Sequence, residues 1–236
     1  MSTFYIVATP IGNLGDISLR AIETLAQVPI ILVEDTRRFA KLRSHLQGTI
    51  PNYHIHARIQ RFDEHTEQLV VPLILNWLDE GKDIALVSDA GTPLISDPGY
   101  MLVHTLLNQR NHTVTSIPGP SSVINALILS GLPTHTFMFL GYLPPKSGQV
   151  QKTIKQTQDI SILRQTTFIA FETPHRILKT VEVFKEFEEK NISLVILQEM
   201  TKMFETRISG TFENILDHLQ KTNIKGEFVL VWRFGK

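Results

Sequence analysis

The sequence contains no cysteine, and this absence excludes several classes of protein. Without cysteine, the 236-residue chain can form neither a disulfide framework nor a thiolate metal site, and it has no cysteine nucleophile. It also has no apolar run long enough to span a membrane. The first residues, MSTFYIVA, lack a basic region followed by a long apolar one, which indicates a first strand rather than a signal peptide. These absences predict a cytoplasmic protein that does not enter a membrane.

The sequence also lacks an excess of charge of either sign. Its 23 Lys and Arg balance 23 Asp and Glu, which argues against a general nucleic-acid coat but permits local basic patches. Basic residues do gather at 37–43, 146–155 and 175–179, although a solvated helix face explains any one of these clusters better than a binding patch does. The nine histidines show no metal-ligand spacing, so we expect no bound metal.

The first half of the chain alternates apolar runs with helical patterns. The runs predict strands at 5–8, 30–33, 84–87 and 114–117, with helices at 19–25, 69–78 and 101–107. This alternation predicts a mainly parallel sheet with helices on its faces. The segment SIPGPSS, residues 116–122, then indicates a boundary between an N-terminal domain, 1–117, and a C-terminal domain, 118–236.

The second half has more strands that could pair antiparallel. We predict strands at 137–142, 167–171, 194–197 and 228–232, a hairpin region at 204–211, and helices at 176–189 and 212–221. The predicted fold class is therefore α/β, with two α/β domains and a cleft between them.

The segment VSDAGTPLISDPG, residues 87–99, concentrates conformationally special residues behind a predicted strand. Gly91 and Gly99 permit unusual backbone angles, Pro93 fixes φ, and Asp89 and Asp97 can accept hydrogen bonds from nearby amides. A stiff loop at the carboxyl end of a strand is where open α/β sheets bind ligands. An ordinary tight crossover is the alternative.

The loops after other predicted strands limit the reactions that the chain could catalyse. The first loop, ATPIGNLGDIS, matches neither G-x-G-x-x-G nor a P-loop, and the chain has no G-x-S-x-G elbow. In EDTR, residues 34–37, Glu34 and Asp35 could serve as acid and base, or they could orient Arg37. The alternative is that they only cap a helix. FETPHR, residues 171–176, offers His175 for proton transfer, unless that histidine is merely exposed.

Seven segments together closely resemble, in identity and order, the ribosomal RNA small subunit methyltransferase I family of tetrapyrrole-methylase-like class III methyltransferases. They are TPIGNLGDIS, EDTR, VSDAGTPLISDPG, PGPSSVINAL, GYLPPK, ETPHR and GEFVLV. The resemblance implies two α/β domains of the tetrapyrrole methylase type, S-adenosylmethionine in the cleft between them, and a homodimer. It also implies 2′-O-methylation of a cytidine ribose in 16S rRNA of the small ribosomal subunit.

The resemblance further implies the residues of the site. Those expected at the cofactor are Pro10, Ile11, Asp89, Gly91, Thr92, Pro93, Ile95, Ser122, Val123, Phe171 and Glu227. Glu34 and Asp35 are alternative catalytic bases, with His175 as a rival, while Arg37, Arg176 and Lys202 would hold phosphates or orient the nucleotide. Two other functions stay open: a precorrin-type tetrapyrrole C-methyltransferase and a non-catalytic, ribosome-associated RNA-binding protein.

Overall fold

Strands and helices alternate along the residues that the structure, a computed structural model, describes: 1–222 and 224–235. The chain divides into two compact units, Met1–Ser121 and a second unit that begins at Ser122. The boundary proposed after residue 117 lies shortly before this division, at the end of a strand. Each unit has its own sheet and its own hydrophobic core, and each is described separately.

The first unit is a five-stranded parallel sheet with helices on both faces. Its elements are β1 (Thr3–Val7), α1 (Leu19–Gln27), β2 (Ile30–Val33), α2 (Thr36–Thr49), β3 (Arg58–Arg61), α3 (Glu67–Asp79), β4 (Ile84–Val87), α4 (Tyr100–Gln109) and β5 (Thr113–Ile117). The strand order is β3-β2-β4-β1-β5, and every neighbouring pair is parallel. The predicted parallel sheet is confirmed.

Burial on both faces explains the apolar strands of this sheet. All four residues of β2, IILV, and of β4, IALV, are buried, as expected for central parallel strands covered by helices. Helices α1 and α2 contribute to the core on one face, and α3 and α4 contribute to the core on the other. Strand β3 has the polar sequence RIQR and lies where no strand was predicted.

The second unit has a mixed sheet. Its elements are α5 (Ser122–Ser130), β6 (Phe137–Tyr142), α6 (Ser147–Leu163), β7 (Thr167–Glu172), α7 (Ile177–Lys185), β8 (Ile192–Gln198), β9 (Thr206–Ser209), α8 (Phe212–Lys221) and β10 (Phe228–Phe234). In the order β6-β7-β10-β8-β9, only β6 and β7 pair in parallel. The predicted antiparallel pairing is confirmed, and this is a second α/β unit. The region 204–211 holds one strand, β9, and not a hairpin of its own, because its partner is β8.

Helices α6, α7 and α8 pack on one face of the second sheet. Their apolar side chains surround Trp232, whose ring is fully buried and whose Nε1 donates to Thr157 Oγ1 at 3.1 Å. Helix α5 packs against β7, β8 and β10, and its buried residues do not join that core, so it lies on the opposite face. The helix predicted at 176–189 is shorter: α7 ends at Lys185, and a single 3-10 turn follows at Glu188–Lys190.

In residues 1–222 and 224–235, no helix has both the length and the apolar character that a membrane crossing requires.

Candidate functional site

Three loops begin side by side at the carboxyl edge of the first sheet. Val7, Val33 and Val87 end strands β1, β2 and β4, and Val87 is in register with both of the others. The helices that follow β2 and β4 pack on opposite faces, so these two loops diverge. Open parallel α/β sheets bind ligands where adjacent loops diverge in this way.

Backbone hydrogen bonds fasten the loop after β4 to its neighbours. Thr9 N donates to Gly91 O at 2.8 Å, and Gly91 N donates to Thr9 O at 3.1 Å, which joins the loops after β1 and β4. Ser88 Oγ donates to Gly91 O at 3.3 Å, and Thr92 Oγ1 donates to Pro120 O at 3.2 Å. The loop is therefore stiff.

Two glycines of this loop are required by its geometry. Gly91 has φ +87°, and a Cβ added there would lie 3.2 Å from Cγ2 of Ile11. Gly99 has φ +117°, and its added Cβ would lie 2.9 Å from Cδ2 of Leu86. A side chain at either position would be strained by the backbone and crowded by its neighbours. Two residues other than glycine also take positive φ in this loop: Leu94 and Ser96.

The two carboxylates of EDTR have different surroundings. Asp35 caps helix α2 by accepting from Arg37 N at 2.8 Å, and its side chain also pairs with the Arg37 guanidinium at 2.7 Å. Hydrogen bonds from Arg37 hold the pKa of the Asp35 carboxyl well below its usual range. Asp35 N donates to Asp89 Oδ1 at 3.0 Å, so the loop after β2 is tied to the loop after β4. Asp35 is thus a helix cap engaged with Arg37.

Three partly buried carboxyl groups have raised pKa values. Burial, followed by repulsion from Asp89, raises the pKa of Glu34. Burial also raises the pKa of Asp89, against the effect of hydrogen bonding from the Asp35 amide. Burial and repulsion from Glu34 raise the pKa of Asp97 to about 7, although a hydrogen bond with Ser88 opposes the shift. Raised pKa values in a cleft are typical of groups that transfer protons near neutral pH.

Glu34 and Asp89 line a polar cavity of about 400 Å³ in the first unit. Its other lining residues are Asp35, Thr36, Arg37, Arg61, Asp63, Glu64 and His65. A smaller cavity of about 60 Å³ is also lined by Glu34 and Asp89, together with Pro10. The structure therefore brings together five residues that the sequence assigned to the site: Pro10, Glu34, Asp35, Arg37 and Asp89.

The sequence analysis missed the part of this cavity that follows β3. Arg61 Nε pairs with Asp63 Oδ2 at 2.5 Å, and Asp63 Oδ1 accepts from His65 N and Thr66 N at 3.0 and 2.9 Å. These bonds fix the turn that places Glu64 and His65 at the cavity. The available signal was an acidic pair beside a histidine, but the strand before it is too polar to be recognised from its apolar pattern.

In the second unit, the FETPHR segment is organised by a carboxylate that the sequence analysis did not single out. The Glu172 side chain is 1% exposed, pairs with Arg176 Nη2 at 2.7 Å and accepts from Thr180 Oγ1 at 2.7 Å. Arg176 Nη1 also donates to Leu143 O at 3.2 Å, so this guanidinium joins the ends of β6 and β7. His175 is exposed.

Lys202 and Glu227 meet in an ion-pair network of the second unit. Lys202 Nζ lies 2.8 Å from Glu199 Oε1 and 3.1 Å from Glu227 Oε2. Glu227 N donates to Glu199 Oε1 at 3.0 Å, which links the turn after β8 to the start of β10. Glu199 and Thr201 have φ of +53° and +65°, a strained conformation that often marks functional segments.

The remaining predicted cofactor residues lie at the ends of elements. Ile11 and Pro93 are buried in the loops after β1 and β4, whereas Ile95 is exposed. In the second unit, Ser122 and Val123 begin α5, and Phe171 lies near the end of β7. Within the described residues, no group of three or more His, Cys, Asp or Glu is placed to hold a metal ion.

Two solved structures share this architecture. Cobalt precorrin-4 methyltransferase CbiF aligns with a TM-score of 0.65 and 19% identity, covering 97% of this chain and 94% of that one. The methyltransferase CobJ aligns with a TM-score of 0.69 and 14% identity, covering 98% and 94%. At such low identities the likeness shows the fold alone, which is that of the two-domain α/β methyltransferases of the tetrapyrrole methylase type.

Sequence comparison identifies the family. The family model described as Tetrapyrrole (Corrin/Porphyrin) Methylases matches residues 3–216. The protein named ribosomal RNA small subunit methyltransferase I from Hydrogenobaculum sp. (strain Y04AAS1) is 41% identical, over 96% of this chain and 94% of its own length. Its namesake from Synechocystis sp. (strain ATCC 27184 / PCC 6803 / Kazusa) is 42% identical, over 98% of this chain and 78% of its own length.

The chain therefore belongs to the tetrapyrrole methylases and, within them, to the ribosomal RNA small subunit methyltransferase I family. Methyltransferases of this family use S-adenosylmethionine.

Proposed function

We propose that this chain is the S-adenosylmethionine-dependent enzyme that methylates the 2′-hydroxyl of a cytidine ribose in 16S rRNA of the small ribosomal subunit. The observation that carries the proposal is the identity of about 40% over nearly the whole chain with relatives named for small-subunit rRNA methylation. A cytoplasmic location and a homodimer are parts of the same proposal. The cytidine and the 2′-oxygen rest on the family resemblance.

The loops at the carboxyl edge of the first sheet suit a cofactor that makes close backbone contacts. Gly91 leaves open the space that a Cβ would fill beside Ile11. Pro10, next to Ile11, and Pro93, two residues after Gly91, are buried. In this proposal the first unit binds through Pro10, Ile11, Asp89, Gly91, Thr92, Pro93 and Ile95, and the second through Ser122, Val123, Phe171 and Glu227. The cofactor, when bound, supplies a methyl group activated by its sulfonium.

Glu34 is the proposed catalytic base. A ribose hydroxyl is a weak nucleophile until its proton has an acceptor, and Glu34 offers a partly buried carboxylate with a raised pKa at a cavity. Asp35 suits this role less, because Arg37 stabilises its ionised form. His175 is a less suitable rival, since it is exposed.

The cations have different proposed roles. The Arg37 side chain is 88% exposed and can reach a phosphate while it pairs with Asp35. Arg176 and Lys202 are engaged by carboxylates of their own unit, so we propose that they orient the segments that contact the nucleotide. Alignment of the reacting oxygen with the methyl group is the main contribution that these residues would make.

The polar, acidic lining of the cavity disfavours a tetrapyrrole and suits the hydroxyls of a ribose rather than its phosphates. Five carboxylates, Glu34, Asp35, Asp63, Glu64 and Asp89, line it, whereas a macrocycle requires a broad apolar surface. The solved tetrapyrrole methyltransferases share the fold with this chain, and a fold does not define the substrate.

The test is mass-spectrometric mapping of rRNA methylation after incubation with S-adenosylmethionine. Small subunits from cells that lack this protein, purified rRNA and a tetrapyrrole precursor are the three substrates. We expect one cytidine of the small-subunit rRNA to gain a 2′-O-methyl group, and the Glu34→Gln variant to leave it unmodified. Methylation of the tetrapyrrole alone would overturn the proposal. Cofactor binding without methylation of any of the three substrates would favour the non-catalytic RNA-binding protein.

A further inference from the structure

The edge strand β6 carries three aromatic side chains on one face of the second sheet. In register, Phe137, Phe139 and Tyr142 lie opposite Thr167, Ile169 and Phe171 of β7. Residues directly opposite one another in neighbouring strands project to the same face, and alternate residues of β7 share a face. Phe137, Phe139 and Tyr142 therefore form one row, which we call the aromatic row.

A β-bulge brings Tyr142 into the aromatic row. The register shifts between Phe139 and Tyr142, because β6 has one more residue in this interval than β7 has between Ile169 and Phe171. Gly141 lies within this interval and takes φ +69°, which glycine adopts without strain. In regular alternation, Tyr142 would project to the other face, where α6, α7 and α8 cover the sheet.

Packing against a ring of the neighbouring strand fixes the aromatic row and leaves its outer side accessible. Phe171 contacts Phe139 and Tyr142 edge to face, with ring centroids 4.9 and 5.3 Å apart. Phe137 remains 42% exposed and Tyr142 58% exposed. Arg176 donates to the carbonyl of Leu143, the residue after Tyr142, so the end of the row is held in place.

The charges near the aromatic row favour a polyanion. Residues 137–158 include no Asp or Glu, and the exposed Lys146 lies four residues after Tyr142, at the end of the row. Lys152 and Lys155 belong to α6, on the opposite face of the sheet. Nucleobases need only one ring face each, and a basic group at the end of the row suits a phosphate next to a stacked base.

We infer that the aromatic row is a stacking platform for unpaired nucleobases of the RNA substrate. The inference rests on the proposed function, because it supplies a contact for that RNA. Stacking on aromatic rings accepts any base, so the platform holds a single strand without selecting its sequence. Phe171, a proposed cofactor contact, packs beside Tyr142 on the same face of the sheet, so a base stacked on Tyr142 lies one ring away from that contact.

The test compares Tyr142→Ala with Tyr142→Phe in the full-length protein. Fluorescence anisotropy with a labelled, unstructured RNA oligonucleotide measures RNA affinity, and calorimetry measures affinity for S-adenosylmethionine. We expect Tyr142→Ala to weaken RNA binding about tenfold and Tyr142→Phe to retain it, because the ring and not the hydroxyl stacks. Tyr142→Phe should keep cofactor affinity within about twofold. Tyr142→Ala removes a ring that packs on Phe171, a proposed cofactor contact, so its RNA affinity is compared with that of the wild type in the absence of cofactor.

Leu163→Ala is the matched control, because Leu163 is 89% exposed in the same unit and outside the aromatic row. If Tyr142→Ala and Leu163→Ala bind RNA with equal affinity, the inference is overturned. The proposed function stays intact in that case, provided that the wild-type protein methylates small subunits. Loss of RNA binding in Tyr142→Phe as large as in Tyr142→Ala would also overturn the inference. So would dissociation of a dimer by Tyr142→Ala in sedimentation, since the row would then contact a second copy.

Discussion

At the scale of single residues, the glycine of the loop after β4 has a role that its neighbours define. Gly91 bonds to Thr9 through its amide and its carbonyl, and it leaves no room for a side chain beside Ile11. Its φ of +87° adds strain for any other residue. The backbone conformation of Gly91 and its lack of a side chain therefore both shape the proposed cofactor surface.

Replacing Gly91 with Val is expected to weaken binding of S-adenosylmethionine by tenfold or more, equivalent to ~1.4 kcal/mol, since the loop must shift to admit the side chain. Calorimetry measures the affinity. Gly48→Ala is the control, because nothing lies within 4 Å of a Cβ added at Gly48 and its φ is not positive. Equal affinities of a folded Gly91→Val variant and the control would contradict the assignment of this loop.

The carboxyl of Asp97 should make stability depend on pH. Its folded-state pKa is raised to about 7 by burial and by Glu34, so the folded protein binds this proton more tightly than the unfolded chain does. The stability that it contributes is complete below the unfolded pKa, near 3.8, and is lost as the pH rises through about 7.

Asp97→Asn should therefore equal the wild type near pH 4 and exceed it at pH 8 by ~1–2 kcal/mol, after allowance for partial exposure. Urea unfolding at both pH values measures the difference. Asp159→Asn, at an exposed position of α6, is the control for loss of one carboxylate. A stability difference that is the same at both pH values would show that Asp97 does not retain its proton in the folded protein.

At the scale of elements, buried and exposed ion pairs fix segments to different degrees. Glu172 at the end of β7 is buried with Arg176 and Thr180, whereas Glu213 at the start of α8 pairs with Lys185 in solvent. Removing one partner of a buried pair leaves the other without compensation, while an exposed pair is already largely solvated.

Glu172→Gln is expected to lower the free energy of unfolding by ~2–3 kcal/mol, and Glu213→Gln to lower it far less. Chemical denaturation of both variants measures these losses. Because Arg176 also holds the carbonyl of Leu143, Glu172→Gln should increase amide exchange around that residue. Equal losses of stability would mean that Glu172 does not anchor this end of the sheet.

The elements that the sequence predicts are those whose pattern is apolar. Strands β2 and β4 are buried on both faces and appear in the sequence as uninterrupted apolar runs. Strand β3 is an edge strand with the sequence RIQR, so tertiary contacts rather than its own pattern define it. The apolar pattern of helix α2 is weak, because basic residues lie between its buried Phe39, Leu42 and Leu46.

The candidate site, like the strands and helices, could be predicted from the sequence only in part. That EDTR and the loop after β4 lie at one edge could be predicted, because parallel strands end together. The sequence could not show which carboxylate is buried: Asp35 is engaged with Arg37, whereas Asp97, 62 positions further along the chain, interacts with Glu34. Burial depends on the neighbours of a loop, and those neighbours come from distant segments.

At the scale of the whole molecule, a chain with zero net charge is proposed to act on a polyanion. Long-range attraction then contributes little, so binding depends on local contacts and on the shape of the RNA. A folded ribosomal particle presents a fixed shape, whereas naked rRNA has to be ordered during binding. We therefore expect faster methylation of assembled small subunits than of purified rRNA.

Arg37→Gln tests how far local charge contributes. Each phosphate contact with a single strand adds about −0.7 to the slope of log K against log salt, and the Arg37 guanidinium is 88% exposed. The variant should bind RNA more weakly at low salt and with a slope closer to zero by about that amount, while cofactor affinity is unchanged. Arg20→Gln, an exposed position on α1, is the control for loss of one positive charge. The slope is measured by titrating labelled RNA at several salt concentrations. A slope unchanged by Arg37→Gln would exclude a phosphate contact at this position. Equal rates of methylation on naked rRNA and on small subunits would contradict the expected preference for the assembled ribosomal particle.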